Sequence, residues 1–341
     1  MSELLALGSY TAATGGRGAG VTLLARDPAT GRVRPAGTPS PGDSPSFLAA
    51  ASTPGAQRPG TLHAAHELAE GRVSTRRFDG TAWSVLGEVS SGGDSPCQLA
   101  LHPAGGLLVV ANYGGSVGVV AVHDGVVAGL VQTLTATGSG PVADRQEGSH
   151  PHSATFLGDG STVVVADLGT DELRVHAVDV AAGRLVEEPV QVVRTPPGTG
   201  PRHTALRDGR LVVVGELDAT VTSYAVRGGR LGDPVVQPGV LARDAGDVLP
   251  SEIAVAPWGL VVAHRGADVV TLLEVVDGAP RAVRDVPLGA RNPRHVAVVG
   301  RDLYVSAQDS DVVVHLRLDA DLSVVGRGDV GVGTPTFVLP L

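Results

Sequence analysis

The sequence contains one cysteine, Cys97, in 341 residues. A single cysteine excludes an intrachain disulfide scaffold and is typical of a reducing compartment, so we expect Cys97 to be a small buried residue of a strand. No apolar run reaches the roughly 20 residues that a membrane-spanning helix needs. The N-terminus MSELLALGSYT lacks a basic region followed by a long apolar stretch, so no signal peptide is predicted. We therefore expect a cytoplasmic protein.

Runs of lysine or arginine are also missing, and the formal net charge is -9 at pH 7. Without a basic stripe the chain cannot neutralise a phosphate backbone or an anionic lipid surface, so nucleic acid and membranes are excluded as partners. An anionic ligand would have to be held by a few local Arg and His side chains. Aromatic residues make up 3% of the chain and hydrophobic residues 43%, which predicts a globular core of Val, Ala and Leu.

Several catalytic motifs are absent as well. The sequence has no HExxH, CxxC, GxxxxGKS/T or GxSxG pattern, which argues against a zinc protease, a P-loop enzyme and an α/β-hydrolase. In the tripeptide HPH, His150 and His152 are two residues apart, so on one strand they would share a face and could bind a metal ion. No third ligand follows at a recognisable spacing, and we predict no metal site.

The chain does contain a repeat. Each unit has a Pro-led apolar run, a turn, a second apolar run such as TVVVAD or LVVVGE, and in most cases a third. The runs are short, β-branched and bounded by Gly-rich turns, which indicates strands and not helices. The units recur every 42 to 55 residues or so, a period typical of propeller blades. Their leading prolines are Pro45, Pro96, Pro151, Pro201, Pro250, Pro293 and Pro335.

The two chain ends complete one unit. The opening LLALGSYT resembles a second strand without a first, and the closing TPTFVLPL resembles a first strand without a successor. The sequence therefore predicts an all-β, seven-bladed β-propeller in which residues 1–341 form a single domain. We expect the C-terminal strand to pair with the N-terminal strands in one blade, because this closes the ring and removes an exposed sheet edge.

Polar residues are unevenly distributed at the expected channel. The blades led by Pro151, Pro201 and Pro293 carry HPH, PRH and PRH there, while those led by Pro45 and Pro335 carry only Ser, Thr and Phe. A wall with Arg and His on one side is suited to binding a small anion. The same residues could instead cap strand ends and bind carbonyl groups of neighbouring blades, an alternative that applies most to His150, Asp167 and His295.

Two further features indicate a site. The ends of the second strands carry six different polar residues at what we predict to be equivalent positions: Glu67, Tyr113, Asp167, Glu216, Arg265 and Gln308. The longest irregular segment, Thr135–Ser149, is rich in Gly, Ser and Pro and ends against HPHS, and long loops in compact folds are often functional. The insertion AGDV at 245–248 is a second, weaker candidate.

Whole segments of the chain resemble a known family. The segments are GSYT, SPSFLA, ANYGGSV, GSGP…RQ…HPHS, VADLGTDELRVH, GPRH…GEL, HRG and PRH…AQDSDVV. Together they are similar to the seven-bladed propeller lactonases, a family with bacterial members like 6-phosphogluconolactonase and fungal relatives that cyclise carboxymuconate. The resemblance implies hydrolysis of a sugar-acid δ-lactone without a metal or an organic cofactor. The substrate would be a small anionic lactone, and the protein a monomer or weak homodimer.

The resemblance also implies the site. His152, Arg202, Glu216 and Arg265 match the residues that form the lactone site in the family, although Gly215 and His264 stand where relatives often have Asn. We expect Glu216 or His152 to act as general base, Arg202 to stabilise the oxyanion, and Arg265, Arg294 and His203 to bind phosphate. The full set of expected substrate contacts is His150, His203, Arg294, His295, Gln308, Tyr113, Arg145 and Gln146.

Other functions remain compatible with these residues. A muconate-type cycloisomerase and a calcium-dependent gluconolactonase would use other chemistry on the same fold. A noncatalytic propeller could serve as an interaction platform, because fold does not determine function. Such a platform would carry an apolar patch on one rim, and the sequence shows no such patch.

Overall fold

Short β-branched runs form strands throughout the chain. A computed structural model describes residues 3–51, 60–238 and 248–341, so residues 245–247 of the AGDV insertion lie outside the described residues. The strands of the described residues form seven antiparallel sheets, one for each repeat. The prediction of an all-β, seven-bladed propeller is confirmed.

Blade 1 contains both ends of the described chain. Its strands are β1 (Glu3–Ser9), β2 (Val21–Arg26), β3 (Val33–Ser40) and β29 (Pro335–Pro340). The C-terminal strand is innermost and pairs antiparallel with β1, with Leu7 opposite Val338. The predicted closure of the ring is therefore present.

The other six blades follow in chain order. Blade 2 contains β4 (Pro45–Ala50), β5 (Thr61–His66), β6 (Arg72–Phe78) and β7 (Trp83–Ser90). Blade 3 contains β8 (Pro96–Leu101), β9 (Leu107–Asn112), β10 (Ser116–His123) and β11 (Val126–Thr135). Blade 4 contains β12 (Pro151–Leu157), β13 (Thr162–Asp167), β14 (Glu172–Asp179), β15 (Arg184–Leu185) and β16 (Gln191–Arg194).

Blades 5 to 7 complete the ring. Blade 5 contains β17 (Pro201–Arg207), β18 (Arg210–Gly215), β19 (Thr220–Arg227) and β20 (Arg230–Pro238). Blade 6 contains β21 (Leu249–Ala256), β22 (Gly259–Arg265), β23 (Val269–Val276) and β24 (Ala279–Pro287). Blade 7 contains β25 (Pro293–Val299), β26 (Asp302–Ala307), β27 (Val312–Leu318) and β28 (Val324–Gly331). Short 3-10 turns lie at Ala12–Thr14 and Gln308–Ser310.

The hydrophobic core lies between the blades. Each apolar cluster of the described residues joins two neighbouring blades, as where Leu23 of blade 1 packs with Leu62 of blade 2. The middle strands are therefore covered on both faces, and every residue of β9 is buried. This burial explains the continuous apolar runs of the sequence, because a strand with one solvated face would alternate apolar and polar residues.

A β-bulge recurs at the start of the innermost strands. In each blade the register shifts just after the leading proline, so an extra residue of the inner strand is left over. A bulge redirects side chains locally. The bulge residues that follow the prolines are Ser46, Cys97, His152, Arg202, Ser251, Arg294 and Thr336. Five of these seven line one axial cavity, so the bulge directs the repeat's second residue to the channel.

Candidate active site

A second ring of channel residues comes from the exits of the second strands. In each blade the leading proline pairs with a residue near the end of the second strand, as Pro201 does with Gly215 and Pro250 with His264. The residue that follows this partner on the second strand is the exit residue. The seven exit residues are Tyr10, Glu67, Tyr113, Leu168, Glu216, Arg265 and Gln308. The prediction that Asp167 shares this position is wrong by one residue, and Tyr10 was missed.

Asp167 organises the loop that precedes β12. Its carboxylate accepts hydrogen bonds from Ser149 Oγ at 2.5 Å and from the His150 backbone N–H at 2.8 Å. It also pairs with Arg174 Nη1 at 2.8 Å. These contacts hold the HPH segment against blade 4, so Asp167 has the structural role that the sequence left open.

Glu216 is the centre of an arginine cluster. It is 1% exposed, and its Oε2 lies 2.6 Å from Arg202 Nε and 2.8 Å from Arg265 Nη2. Its Oε1 accepts a hydrogen bond from Arg145 Nη2 at 2.5 Å. Three guanidinium groups and one carboxylate leave this cluster with a surplus of positive charge. Three of the residues predicted from the sequence as catalytic therefore meet here.

The arginines decide the ionisation of Glu216. Burial alone raises its pKa, but Arg265, Arg202 and Arg145 outweigh burial and hold the pKa at about 2. Both carboxylate oxygens are occupied by guanidinium groups, and a carboxylate with so low a pKa is a weak base at neutral pH. The geometry therefore makes Glu216 an anchor for three arginines, and it speaks against the predicted alternative of Glu216 as general base.

The arginines of this cluster differ in access to the channel. Arg202 is 2% exposed, and its Nη1 donates to the Ser251 carbonyl oxygen, which leaves it little reach towards a ligand. The side chains of Arg265 and Arg145 are 19% and 31% exposed. Arg265 Nε has no hydrogen-bond partner among the described residues. Arg265 and Arg145 are thus the members that can contact a ligand directly.

Arg145 reaches the channel on the loop between β11 and β12. The next residue, Gln146, is completely buried and does not face the channel. Its Nε2 donates to the Leu168 carbonyl oxygen at 2.9 Å, and its Oε1 accepts from the Val142 backbone N–H at 3.2 Å. We therefore correct the expectation for Gln146, which ties down the loop that carries Arg145.

The two histidines of HPH have separate places beside Tyr113. The His150 ring stacks on Tyr113 with centroids 4.3 Å apart, and its Nδ1 lies 2.6 Å from the Tyr113 carbonyl oxygen. His152 meets the edge of the same ring at 5.6 Å and lies 3.7 Å from Cys97 Sγ. Burial, followed by Arg202, His203 and Arg294, lowers the pKa of His152 well below its ordinary value. His152 is therefore neutral at pH 7.

A second arginine–carboxylate pair joins blade 7 to blade 2. Arg294 Nη2 is 3.4 Å from Glu67 Oε2, and its guanidinium carbon lies 4.9 Å from the centroid of the Tyr10 ring. Tyr10 donates its hydroxyl hydrogen to Glu67 Oε1 at 2.7 Å. The side chain of Arg294 is partly exposed, so it can contact a ligand while Tyr10 and Glu67 hold it in place.

His203 and His295 contact a carboxylate that the sequence analysis did not select. His203 Nδ1 is 2.9 Å from Glu252 Oε2, and His295 Nε2 is 3.4 Å from the same oxygen. His295 also packs on Phe337, with ring centroids 3.7 Å apart. All three polar residues are buried, so His203 and His295 do not reach the open part of the channel. An alignment of the Pro-led repeats would have revealed Glu252, because it occupies the position of both histidines.

The remaining predicted contact is weaker. Gln308 is an exit residue, but its side-chain amide donates to Oδ1 of its neighbour Asp309 at 3.4 Å. Among the described residues no group of three or more His, Cys, Asp or Glu is arranged to hold a metal ion. The helical turns of the described segments are too short to span a membrane.

Comparison with known proteins identifies the family of this fold. The model of the family described as "Lactonase, 7-bladed beta-propeller" matches residues 4–340. The chain belongs to this lactonase family. A 6-phosphogluconolactonase of Formosa agariphila is 25% identical over 74% of this chain and 75% of the relative. A 6-phosphogluconolactonase of Bacillus subtilis is 31% identical over 54% of this chain and 53% of the relative.

A solved structure provides a match over the whole length. The periplasmic gluconolactonase of Pseudomonas aeruginosa is 28% identical to this lactonase, with a TM-score of 0.90 over 100% of this chain and 99% of the other. The structure also shows why a larger residue does not fit at position 215. A Cβ at Gly215 would lie 2.3 Å from Asp218 Oδ1 and 2.7 Å from Thr199 Cγ2, so the Asp218 side chain occupies the space that an Asn at 215 would need.

Proposed function

We propose that this lactonase hydrolyses the δ-lactone of a phosphorylated sugar acid, with 6-phosphogluconolactone as substrate and 6-phosphogluconate as product. The observation that carries the proposal is the set of partly exposed arginines, Arg145, Arg265 and Arg294, around one channel. Guanidinium groups suit a phosphate because they present several N–H donors in a fixed fork. The proposal places the reaction in the cytoplasmic pentose phosphate pathway.

The chemistry required is modest. A δ-lactone is an activated ester, so the enzyme has to deliver a water molecule and stabilise the negative charge that develops on the carbonyl oxygen. We assign the base to His152, because its ring is neutral at pH 7, whereas both carboxylate oxygens of Glu216 are occupied by guanidinium groups. General-base catalysis of this kind typically contributes a factor of about 10² to 10⁴.

The arginines have the remaining roles, which are oxyanion stabilisation and phosphate binding. Arg265 stabilises the oxyanion, since its Nε lacks a partner among the described residues and its side chain reaches the channel. Arg145 and Arg294 bind the phosphate. Arg202, which the sequence analysis placed at the oxyanion, is buried beneath Glu216 and positions that carboxylate. These roles support a metal-independent hydrolysis.

The test is hydrolysis of freshly generated 6-phosphogluconolactone and of unphosphorylated gluconolactone, with and without a chelator. We expect preference for the phosphorylated lactone and no effect of the chelator. Arg265→Ala should lower kcat by a factor of about 10² to 10³, as expected for loss of an oxyanion donor. Arg281→Ala is the matched control, because Arg281 is an exposed arginine that pairs with Glu274 on the surface.

Other results would favour the other candidates. Preference for gluconolactone would indicate the same substrate as the periplasmic gluconolactonase of Pseudomonas aeruginosa. Loss of activity with chelator would favour a calcium-dependent gluconolactonase. Turnover of neither lactone would contradict the proposal and favour a cycloisomerase or a noncatalytic binding role.

A further inference from the structure

A small cavity lies on the channel axis, lined by the bulge residues and by the residues that follow them on the inner strands. It is about the size needed for one water molecule. Four buried polar atoms of its lining have no hydrogen-bond partner among the described residues: Ser46 Oγ, Arg202 Nε, His203 Nε2 and Thr336 Oγ1. Of these, only Arg202 Nε has an ion-pair contact, with Glu216. Unpartnered buried polar groups are rare in folded proteins. The cavity therefore has both the space and the partners for an ordered water.

The hydrogen bonds of the two histidines fix their tautomers. The Val338 backbone N–H donates to His295 Nδ1 at 3.3 Å, so the His295 hydrogen is on Nε2, which faces Glu252. His203 Nδ1 donates to Glu252 Oε2 at 2.9 Å. The lone pair of neutral His203 is consequently on Nε2, the atom without a partner. It is a basic nitrogen directed into the cavity.

Glu252 has two imidazole rings as its direct partners, and Arg202 acts on its charge only from a longer distance. Glu216 is paired with three arginines and Glu67 with Arg294, but in the described residues no arginine forms an ion pair with Glu252. Its negative charge faces imidazole rings, and His203 in turn meets His152 edge-on with centroids 5.2 Å apart. The titratable and charged groups around His203 are Cys97, His152, Arg202, Glu252, Arg294 and His295.

We propose that Glu252 and His203 form a carboxylate–imidazole pair that holds a water molecule in the axial cavity and stabilises the proton that the neighbouring His152 accepts during lactone hydrolysis. This inference rests on the proposed function. In the step, the proton of the attacking water moves to His152 while the water oxygen bonds to the carbonyl carbon. When the ring C–O bond breaks, the proton passes to the departing oxygen. Glu252 offsets the transient imidazolium charge in a channel that is otherwise rich in arginine.

Glu252 and His203 are positioning residues in this scheme, because neither contacts the substrate. The first test needs no substrate. In ¹⁵N-histidine NMR spectra at neutral pH, His203 should show a protonated Nδ1 and an unprotonated Nε2. Glu252→Gln should shift the titration of the His152–His203 pair to lower pH by about one unit or more, because an opposite charge has been removed. A His203 ring protonated on Nε2 would overturn the proposal.

The second test is kinetic. Glu252→Gln should lower kcat at pH 7 by a factor of about 10 to 100 and move the acid limb of the kcat profile to lower pH, with KM changed less than about twofold. A purely structural role would not move the acid limb. Glu274→Gln is the matched control, because it makes the same chemical change on an exposed rim carboxylate. Wild-type kcat and pH profile in Glu252→Gln, with active wild-type enzyme, would overturn the inference.

A third measurement covers the case in which Glu252→Gln does not fold. A high-resolution crystal structure of the wild type should show a water within hydrogen-bond distance of His203 Nε2, and Thr336→Val should weaken its occupancy. An empty cavity would contradict the proposal. Failure of the proposed function is recognised separately, because the wild type would then hydrolyse neither lactone. In that case the NMR spectra and the crystal structure still test the carboxylate–imidazole pair.

Discussion

Glu216 and Glu252 both lie buried on the channel wall, in adjacent blades, but their partners differ. Glu216 is surrounded by three guanidinium groups, while Glu252 contacts two imidazole rings. Arginine remains protonated under all ordinary conditions, whereas an imidazole can gain or lose a proton near neutral pH. The Glu216 cluster therefore has a fixed charge and suits the binding of an anion. The Glu252 cluster can change its charge and suits the movement of a proton.

The largest expected effect comes from removing the Glu216 charge. Glu216→Gln leaves three arginines without their shared carboxylate, and breaking a buried ion pair typically costs about 3–5 kcal/mol. We expect a loss of unfolding free energy of that size in urea denaturation, and a decrease of kcat/KM by a factor of about 10² or more because Arg145 and Arg265 lose their anchor. A variant with wild-type stability would show that Glu216 does not hold the cluster together.

The pH dependence of this stability follows from the depressed pKa. The Glu216 carboxyl has an ordinary pKa of 4.5 and a folded pKa of about 2, so its contribution is present above 4.5 and is lost as pH falls towards 2. The difference in unfolding free energy between wild type and Glu216→Gln should therefore shrink between pH 4.5 and pH 2. A difference that stayed constant over this range would contradict the assigned ionisation.

The imidazole cluster around Glu252 should change the unfolding free energy in a different pH range. Burial lowers the pKa of His295 from 6.5 to about 4, although Glu252 opposes this shift. The unfolded chain therefore binds more protons between pH 6.5 and pH 4, and stability falls as pH falls through that range. As pH falls from 6.5 to 4, we expect the unfolding free energy of His295→Gln to decrease by about 2 kcal/mol less than that of the wild type. Parallel curves in urea denaturation would show that His295 does not titrate there.

The fold was predictable because each blade has the same structural requirements and therefore the same sequence pattern. Every unit needs an inner strand, covered middle strands and turns, so its pattern recurs at Pro45, Pro201 and Pro293. The incomplete units at the two ends also predicted the pairing of β29 with β1, which the structure confirms. Seven independent copies of one pattern make such a prediction more secure than any single motif.

The site was predictable only in part, because the bulges decide which residues face one another. The sequence selected Arg202, Glu216 and Arg265, and the structure brings them together. The exit position of blade 4 was misassigned, because Pro151 pairs with Asp167 and Leu168 is therefore the first residue beyond the pair. The contact between Glu252 and His203 was not predicted, because it joins inner strands of two neighbouring blades, although both residues occupy the same position in their repeats.

The loop that carries Arg145 could be recognised as unusual, but its geometry could not be derived from the sequence. Both Arg145 and Gln146 were expected to contact the substrate. In the structure Arg145 reaches Glu216, whereas Gln146 is buried and bonded to the Leu168 carbonyl oxygen and the Val142 N–H. Neighbouring residues of an irregular segment can point in opposite directions, and no periodicity in the sequence indicates which one faces the channel.

This division of roles gives the smallest of the expected effects. Arg145→Ala removes one phosphate ligand at the edge of the Glu216 cluster, so KM for the phosphorylated lactone should rise by a factor of about 5 to 10, with kcat changed less. Gln146→Ala should raise KM by a similar or smaller factor, because it loosens the loop that presents Arg145.

A double-mutant cycle separates a direct contact from an indirect one. If Gln146 acts only through Arg145, the double variant Arg145→Ala, Gln146→Ala should have the same KM as Arg145→Ala alone, because the loop no longer carries a ligand to position. Independent substrate contacts would instead multiply the two effects. Unphosphorylated gluconolactone serves as the control substrate, since none of these variants should change its KM if the loop acts on the phosphate. If the two effects on KM multiply, Gln146 is a direct substrate contact. The fixed-charge role of the Glu216 cluster would then belong to its arginines other than Arg145.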